Sequence, residues 1–180
     1  MKDIFQQAQL AMRRQDYAEA AELFAAVPHN PESVTGMNQA LSCICAELNE
    51  RLDVSVHVRT VCRSYSRFCA DTGKLQEQMK HLQASLEVLE ELTRFRNRLE
   101  SAYNAERDII YRTAQTLLEK KHFLKAEKTF ALIPGYSDAD RQMKLAREAY
   151  NHYCVVVAVR CLIIATLLFI GGYIYDALFH

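Results

Sequence analysis

The side chains in this sequence that could most readily bind a metal or take part in a reaction are its thiols and imidazoles. Cys43 and Cys45 are followed by His57, Cys62 and Cys69. Structural zinc sites use cysteine pairs separated by two to four residues on tight turns. A helix turns by about 200° over two residues, so Cys43 and Cys45 cannot face the same metal ion. We therefore expect these thiols to pack as small apolar side chains, and the cytoplasmic location expected for this domain would keep them reduced. We predict no metal and no cofactor.

Catalytic side chains form no recognisable arrangement. The six histidines include no His-Glu-x-x-His pair, and the sequence contains no glycine-rich phosphate loop. Glu90 and Glu91 could supply two carboxylates, but neighbouring positions on a helix diverge by about 100°. We therefore predict that the protein is not an enzyme.

The densest basic segment is residues 94–98, Arg-Phe-Arg-Asn-Arg. Glu90 precedes Arg94 by four residues and Glu100 follows Arg96 by four, a spacing at which helical side chains form ion pairs. This predicts a solvated helix face, with an acidic partner or lipid headgroups as the alternative. The whole chain carries 22 basic and 22 acidic residues, a balance that argues against a nucleic-acid partner.

Residues 155–175 form an apolar run in which Arg160 is the only charged side chain. Roughly 20 apolar residues on a helix cross a bilayer core of about 30 Å. Tyr153 and Tyr173 lie about 30 Å apart along such a helix, and with Tyr175 they would form aromatic belts at the two interfaces. Arg160 would extend toward the nearer headgroups. The run predicts a transmembrane helix and a lipid bilayer as one partner.

The charges around this run predict its orientation. Arg141, Lys144 and Arg147 precede it, and no lysine or arginine follows it. Basic residues stay on the cytoplasmic side, and the polar N-terminus does not resemble a signal peptide. We expect a single-pass, tail-anchored protein with a cytoplasmic N-terminal domain. Cys154 and Cys161 flank the membrane entry, where acylation remains an alternative to a plain anchoring role.

Two segments of the chain repeat the same helical hairpin, with every matched pair of residues separated by the same distance along the sequence. In each segment, a small residue is followed by an aromatic residue, an alanine, a phenylalanine and a final proline. The small residues would let two helices approach closely while the aromatic residues fill the space between them. The matched pairs are Ala8 with Ala114, Tyr17 with Phe123, Ala20 with Ala126, Phe24 with Phe130, Val27 with Ile133 and Pro28 with Pro134.

This spacing resembles a tetratricopeptide-like helical hairpin, over about 60 of the 180 residues. The chain departs from the family pattern because the turns lack glycine, the second helices end early at proline, and the copies are not in tandem. The resemblance implies antiparallel hairpins that stack and present a concave surface for a protein partner.

Between the hairpins the sequence predicts further helices and no strands. Asn30 and Pro31 form a helix start, Asp53 can cap a second helix, and residues 71–73 form a turn. From Lys74 the chain continues to about residue 104 without a breaker, which predicts a long central helix. Its apolar seam favours an intramolecular core over a dimer interface, and its self-association is left open.

Together these features predict an all-α protein with a tetratricopeptide-like domain at 1–150 and a membrane anchor at 151–180. We expect a non-catalytic, membrane-tethered adaptor that binds a protein partner. The alternative is a structural subunit of a membrane complex that associates through its transmembrane helix. The partner and the oligomeric state are left open.

Overall fold

The computed structural model describes the backbone of residues 2–179 and the side chains of residues 3–174. The described residues form seven α-helices and no strand, so the predicted all-α class is confirmed. The helices are α1 (Lys2–Arg13), α2 (Tyr17–Ala25), α3 (Pro31–His57), α4 (Val61–His81), α5 (Leu86–Glu119), α6 (Phe123–Phe130) and α7 (Ala139–Phe179).

The chain forms two compact units, Met1–Glu106 and Arg107–His180, and α5 contributes to both. The predicted division at residue 150 follows a different criterion, the expected membrane boundary, and it stays a prediction.

The helix starts in the first unit follow local capping chemistry. The Asp16 carboxylate accepts a hydrogen bond of 3.3 Å from the Glu19 amide and caps α2. The Asn30 side chain accepts one of 3.0 Å from the Glu32 amide, and Pro31 is the first residue of α3. The predicted start at Asn30 and Pro31 is confirmed.

The core of the first unit combines small residues where helices cross with large apolar residues between them. Its largest fully buried side chains include Leu41, Leu52, Met79 and Phe95. Helices α2 and α3 approach closely at Gly36, where a Cβ atom would lie 2.7 Å from the Phe24 ring. Glycine is tolerated inside α3 because the aromatic ring fills the missing side-chain volume.

The predicted continuous helix from Lys74 to residue 104 is wrong. Helix α4 ends at His81 and α5 begins at Leu86. Between them Gln83 adopts a left-handed conformation with φ 53°, and the Ala84 amide donates to the Met79 carbonyl over 3.0 Å. This is the bond pattern of a Schellman C-cap. The seam from Leu75 to Leu89 therefore divides between two helices, and Leu86 is exposed.

The predicted boundaries at Asp53 and at residues 71–73 are also wrong. Both lie inside helices, because α3 continues to His57 and α4 runs through Gly73. The break comes instead at Arg59, which has φ 55°, and the Thr60 amide donates to the Ser55 carbonyl over 2.9 Å. A glycine or an aspartate inside a helix costs about 1 kcal/mol or less, which neighbouring buried turns offset.

In the second unit α6 packs on the first turns of α7. Ala126, Ala139 and Ala146 have no exposed surface, so the two helices approach closely. Helix α7 then continues without interruption through Gly171 and Gly172. The packed segment and the apolar segment are therefore parts of one helix.

Candidate functional site

The structure places the matched repeat residues at equivalent positions in the two units. The four alanines, Ala8, Ala20, Ala114 and Ala126, are completely buried. Phe24 and Phe130 are 4% and 1% exposed, and Tyr17 and Phe123 are both half-buried.

The aromatic contacts of the two hairpins repeat in geometry. The rings of Phe5 and Phe24 lie 5.6 Å apart at an interplanar angle of 66°. Those of Tyr111 and Phe130, the equivalent residues of the second hairpin, lie 5.7 Å apart at 69°. Edge-to-face pairs of this kind add about 1 kcal/mol beyond the area they bury. The match extends to the turns, where Gln15 and Lys121 have φ values of 64° and 60°.

The equivalence between the two units extends to a third helix, α3 in the first unit and α7 in the second. The match between the two sequence segments did not reveal it. At the same spacing along the chain, α3 and α7 place small or apolar residues on the faces toward the hairpins. Only two of the three pairs are chemically alike, so the match was too sparse to recognise without the geometry. The pairs are Ser33 with Ala139, Met37 with Met143 and Ala40 with Ala146.

The first unit contains a groove between α4 on one side and α2 and α3 on the other. Three adjoining depressions of about 380, 470 and 760 Å³ form it. The first two share Arg51 and Arg67, and the second and third share Lys74 and Gln78. Along α4 the groove runs from Ser64 to Leu82, about 27 Å at 1.5 Å per residue.

Charged side chains line this groove above an apolar floor. Its floor includes Leu48, Phe68 and Leu75, which are buried. Arg51 donates to Asp71 over 2.9 Å from α3 to α4, and its guanidinium lies 5.4 Å from the centre of the Phe68 ring. Both members of that ion pair are partly exposed, so the pair adds little stability. The remaining charged groups of the lining are Asp16, Glu22, Glu47, Glu50, Arg67, Lys74 and Glu77.

The cysteines lie in different environments. Cys45 is buried, and burial with the nearby Glu91 carboxylate raises its pKa to about 11. Burial and the carboxylates of Glu47 and Glu91 also raise the pKa of the half-buried Cys43. These raised pKa values favour the protonated thiol, whereas metal binding and nucleophilic attack need the thiolate. Within residues 3–174, no group of three His, Cys, Asp or Glu side chains could hold a metal ion.

The expectation that Cys69 packs as a small apolar residue is wrong. Its side chain is exposed on α4. Phe68 lies in the core, and each following residue of a helix is rotated by about 100° around the helix axis. The Cys69 side chain therefore points toward solvent.

The basic segment 94–98 packs α5 against its neighbours. Phe95 is 1% exposed and anchors the segment in the core. Arg96 donates to Gln76 over 2.8 Å, and Arg98 donates to Asn49 over 3.0 Å and pairs with Asp53. Arg96 and Arg98 therefore bridge to α4 and α3, contacts between helices that the sequence could not reveal.

In the second unit, hydrogen bonds join the end of α5 to the start of α7. The Tyr111 hydroxyl donates to Asp138, and the Tyr136 hydroxyl donates to Asp108. The bond from Tyr111, with a second from Gln142, lowers the pKa of Asp138. The same bond to Asp138 raises the pKa of Tyr111, and the bond to Asp108 raises the pKa of Tyr136.

Among the described residues, one helix is long and apolar enough to cross a membrane. It is the segment Ala139–Ile174 of α7, which reaches a mean hydropathy of 2.6 in a stretch with no buried residue. Tyr153 and Tyr173 are 57% and 74% exposed, and Arg160 is exposed between them. The prediction for Tyr175 lies outside the described side chains.

Comparisons with protein families, with curated proteins and with solved structures found no match to this chain.

Proposed function

We propose that the protein is a non-catalytic adaptor, tethered to a membrane by α7, that binds a protein segment in the groove of its first unit. The observation that carries this proposal is the groove between α4 and α2–α3, with its apolar floor and charged rims. Anchoring would raise the concentration of the bound partner at the bilayer surface.

The groove suits a helical segment of a partner. Its length of about 27 Å accommodates about 18 helical residues, or five turns. Buried Leu48, Phe68 and Leu75 border it, and such segments place apolar side chains at intervals of three and four residues over surfaces of this kind. Acidic residues outnumber basic ones along the lining, so the partner segment carries basic residues beside its apolar face.

The repeated three-helix motif supports a tetratricopeptide-like assignment of the two hairpins. Small residues lie at the crossings and aromatic pairs lie between helices in both copies. The exposed apolar surface of α7 supports a single-pass anchor, and the basic residues that precede it support a cytoplasmic N-terminal domain.

Site-specific photo-cross-linking in native membranes tests the groove. A cross-linking amino acid replaces Lys74 on the groove side of α4, and the control replaces Lys80, which is exposed on the opposite face. We expect a saturable adduct from position 74 and none from position 80. Adding Arg67→Glu, elsewhere in the same groove, should change the yield of the adduct at position 74 by severalfold.

Equal adducts from positions 74 and 80 would show that the groove is not the binding surface. If adducts form only from probes within 155–174, the chain associates through α7, and the structural-subunit alternative replaces the adaptor.

A further inference from the structure

We propose that the turn between α5 and α6 is a second membrane contact, in which Lys120, Lys121 and His122 bind the phosphate groups of anionic lipids. This inference rests on the proposed insertion of α7 into a bilayer. It assigns a role to a surface outside the groove and outside the apolar helix.

The direction of α6 follows from the contacts of Tyr111. Its ring lies 5.7 Å from that of Phe130 at the end of α6, and its hydroxyl donates to Asp138 just before α7. The end of α6 and the start of α7 are therefore close together. Because α6 also packs along α7, the two helices are antiparallel.

One ion pair fixes the register between the two helices. Arg147 on α7 pairs with Glu127 on α6 at 3.3 Å. His122, the residue just before α6, lies five residues before Glu127. On α7, His152 lies five residues after Arg147 and one residue before Tyr153. Each residue advances about 1.5 Å along a helix, so the two five-residue intervals have the same length. The α5–α6 turn is therefore level with the residue at which the exposed apolar surface of α7 begins.

The charge at this end of the second unit favours an anionic surface. Lys120, Lys121 and Lys125 are exposed. Glu119 is the acidic residue of the turn, and Glu127 is already paired with Arg147. Residues 107–150 contain nine lysine and arginine residues against six aspartate and glutamate residues. Lysine side chains within a Debye length, about 8 Å at physiological salt, are attracted to anionic headgroups.

The test compares lysine acylation rates of the full-length protein in two kinds of vesicle, one of phosphatidylcholine and one with about a third phosphatidylserine. Cleavage after glutamate separates peptide 120–127 from peptide 128–148. The second peptide holds Lys128 and Lys144, control residues that lie about 12 Å further from Tyr153 along the two helices.

We expect phosphatidylserine to slow acylation at Lys120 and Lys121 about threefold or more, and about 1 M salt to reverse the effect. Lys128 and Lys144 should change much less. Inorganic phosphate added to phosphatidylcholine vesicles should not reproduce the protection, which separates lipid headgroups from a free anion.

A pair of double variants gives an independent measurement. Lys120→Gln with Lys121→Gln keeps the turn geometry, because Gln15 occupies the equivalent left-handed position in the first unit. We expect this variant to retain less phosphatidylserine after solubilisation from mixed vesicles. The control, Lys128→Gln with Lys144→Gln, removes the same charge and should retain the wild-type amount.

Equal effects at the turn and at the control lysines would overturn the proposal while leaving the anchor intact. A protein that fails to float with vesicles after an alkaline wash would overturn the anchor, and the lipid contact with it. Protection by inorganic phosphate alone would assign the turn to a soluble anion instead.

Discussion

Ser33 shows how the two copies of the three-helix motif differ at a single buried atom. Its side chain is fully buried, and its hydroxyl oxygen has no hydrogen-bond partner among the described residues. The equivalent residue in the second unit is Ala139, which is buried without a polar group. Burying an unsatisfied hydroxyl costs about 1–3 kcal/mol. The first unit therefore carries a cost that the second avoids.

We predict that Ser33→Ala raises the free energy of unfolding by about 1 kcal/mol, because it removes the buried hydroxyl at little change in volume. Urea denaturation of the full chain in detergent micelles, followed by circular dichroism, measures the change. Ser42→Ala is the matched control, since the Ser42 hydroxyl donates to Glu91 over 2.7 Å. It should lower stability by about 1 kcal/mol. A Ser33 variant less stable than wild type would show that the hydroxyl is satisfied.

We expect Asp138 to contribute to the acid sensitivity of the second unit. The hydrogen bond from Tyr111 holds its pKa below the ordinary value of 3.8. A carboxyl group with a lowered pKa in the folded state stabilises the fold above its unfolded pKa, and that contribution disappears as the pH falls through the folded pKa. We predict that Tyr111→Phe moves the pKa of Asp138 upward and weakens the acid dependence of stability. An NMR titration of the Asp138 carboxyl measures the shift.

Tyr136→Phe is the control for that titration, because the Tyr136 hydroxyl donates to Asp108 and not to Asp138. Its effect on the Asp138 titration should be small. If Tyr111→Phe and Tyr136→Phe move the Asp138 curve equally, a general loss of structure explains both.

At the scale of elements, four helix ends share a left-handed residue that is not glycine. Gln15, Arg59, Gln83 and Lys121 all adopt left-handed conformations at the ends of helices. Such positions usually carry glycine, so glycine is the signal from which a sequence predicts a helix end. The breaks at Arg59 and Gln83 lack that signal, and the apolar seam continues across Gln83. The breaks after Gln15 and Lys121 were predictable from the repeated hairpin pattern.

We predict that Gln83→Gly stabilises the protein by about 0.5–1 kcal/mol. A left-handed conformation costs a residue with a side chain about 1–2 kcal/mol, which exceeds the added backbone entropy that glycine loses on folding. Glu77→Gly, in the exposed interior of α4, should instead destabilise by about 1 kcal/mol. Thermal unfolding of both variants in the same detergent checks the opposite signs. Destabilisation by Gln83→Gly would mean that the helix break does not require a left-handed residue.

At the scale of the molecule, period and capping predicted the helical class, the start of α3 and the apolar terminal helix. These features depend on residues within one or two turns of each other. The groove and the bridges from Arg96 to Gln76 and from Arg98 to Asp53 join residues that lie far apart along the chain. Their pairing depends on how whole helices pack, and no local pattern encodes it. The three-helix repeat was hidden for a related reason, since its third helix adds only three matched pairs, of which two are chemically alike.

The orientation of the whole chain in a membrane is the prediction on which a cytoplasmic partner depends. Arg141, Lys144 and Arg147 precede the apolar part of α7, and residues 161–180 contain no lysine or arginine. Basic residues resist translocation, so we expect residues 1–150 to face the cytoplasm and residue 180 to face the opposite side.

Protease added to the cytoplasmic face of sealed vesicles should digest the N-terminal domain, and a tag after His180 should survive. Moving two basic residues from the 141–147 segment to the C-terminus should make part of the population invert. Digestion of the tag with protection of the N-terminal domain would place the groove outside the cytoplasm, where Cys69, exposed on α4, would be open to oxidation.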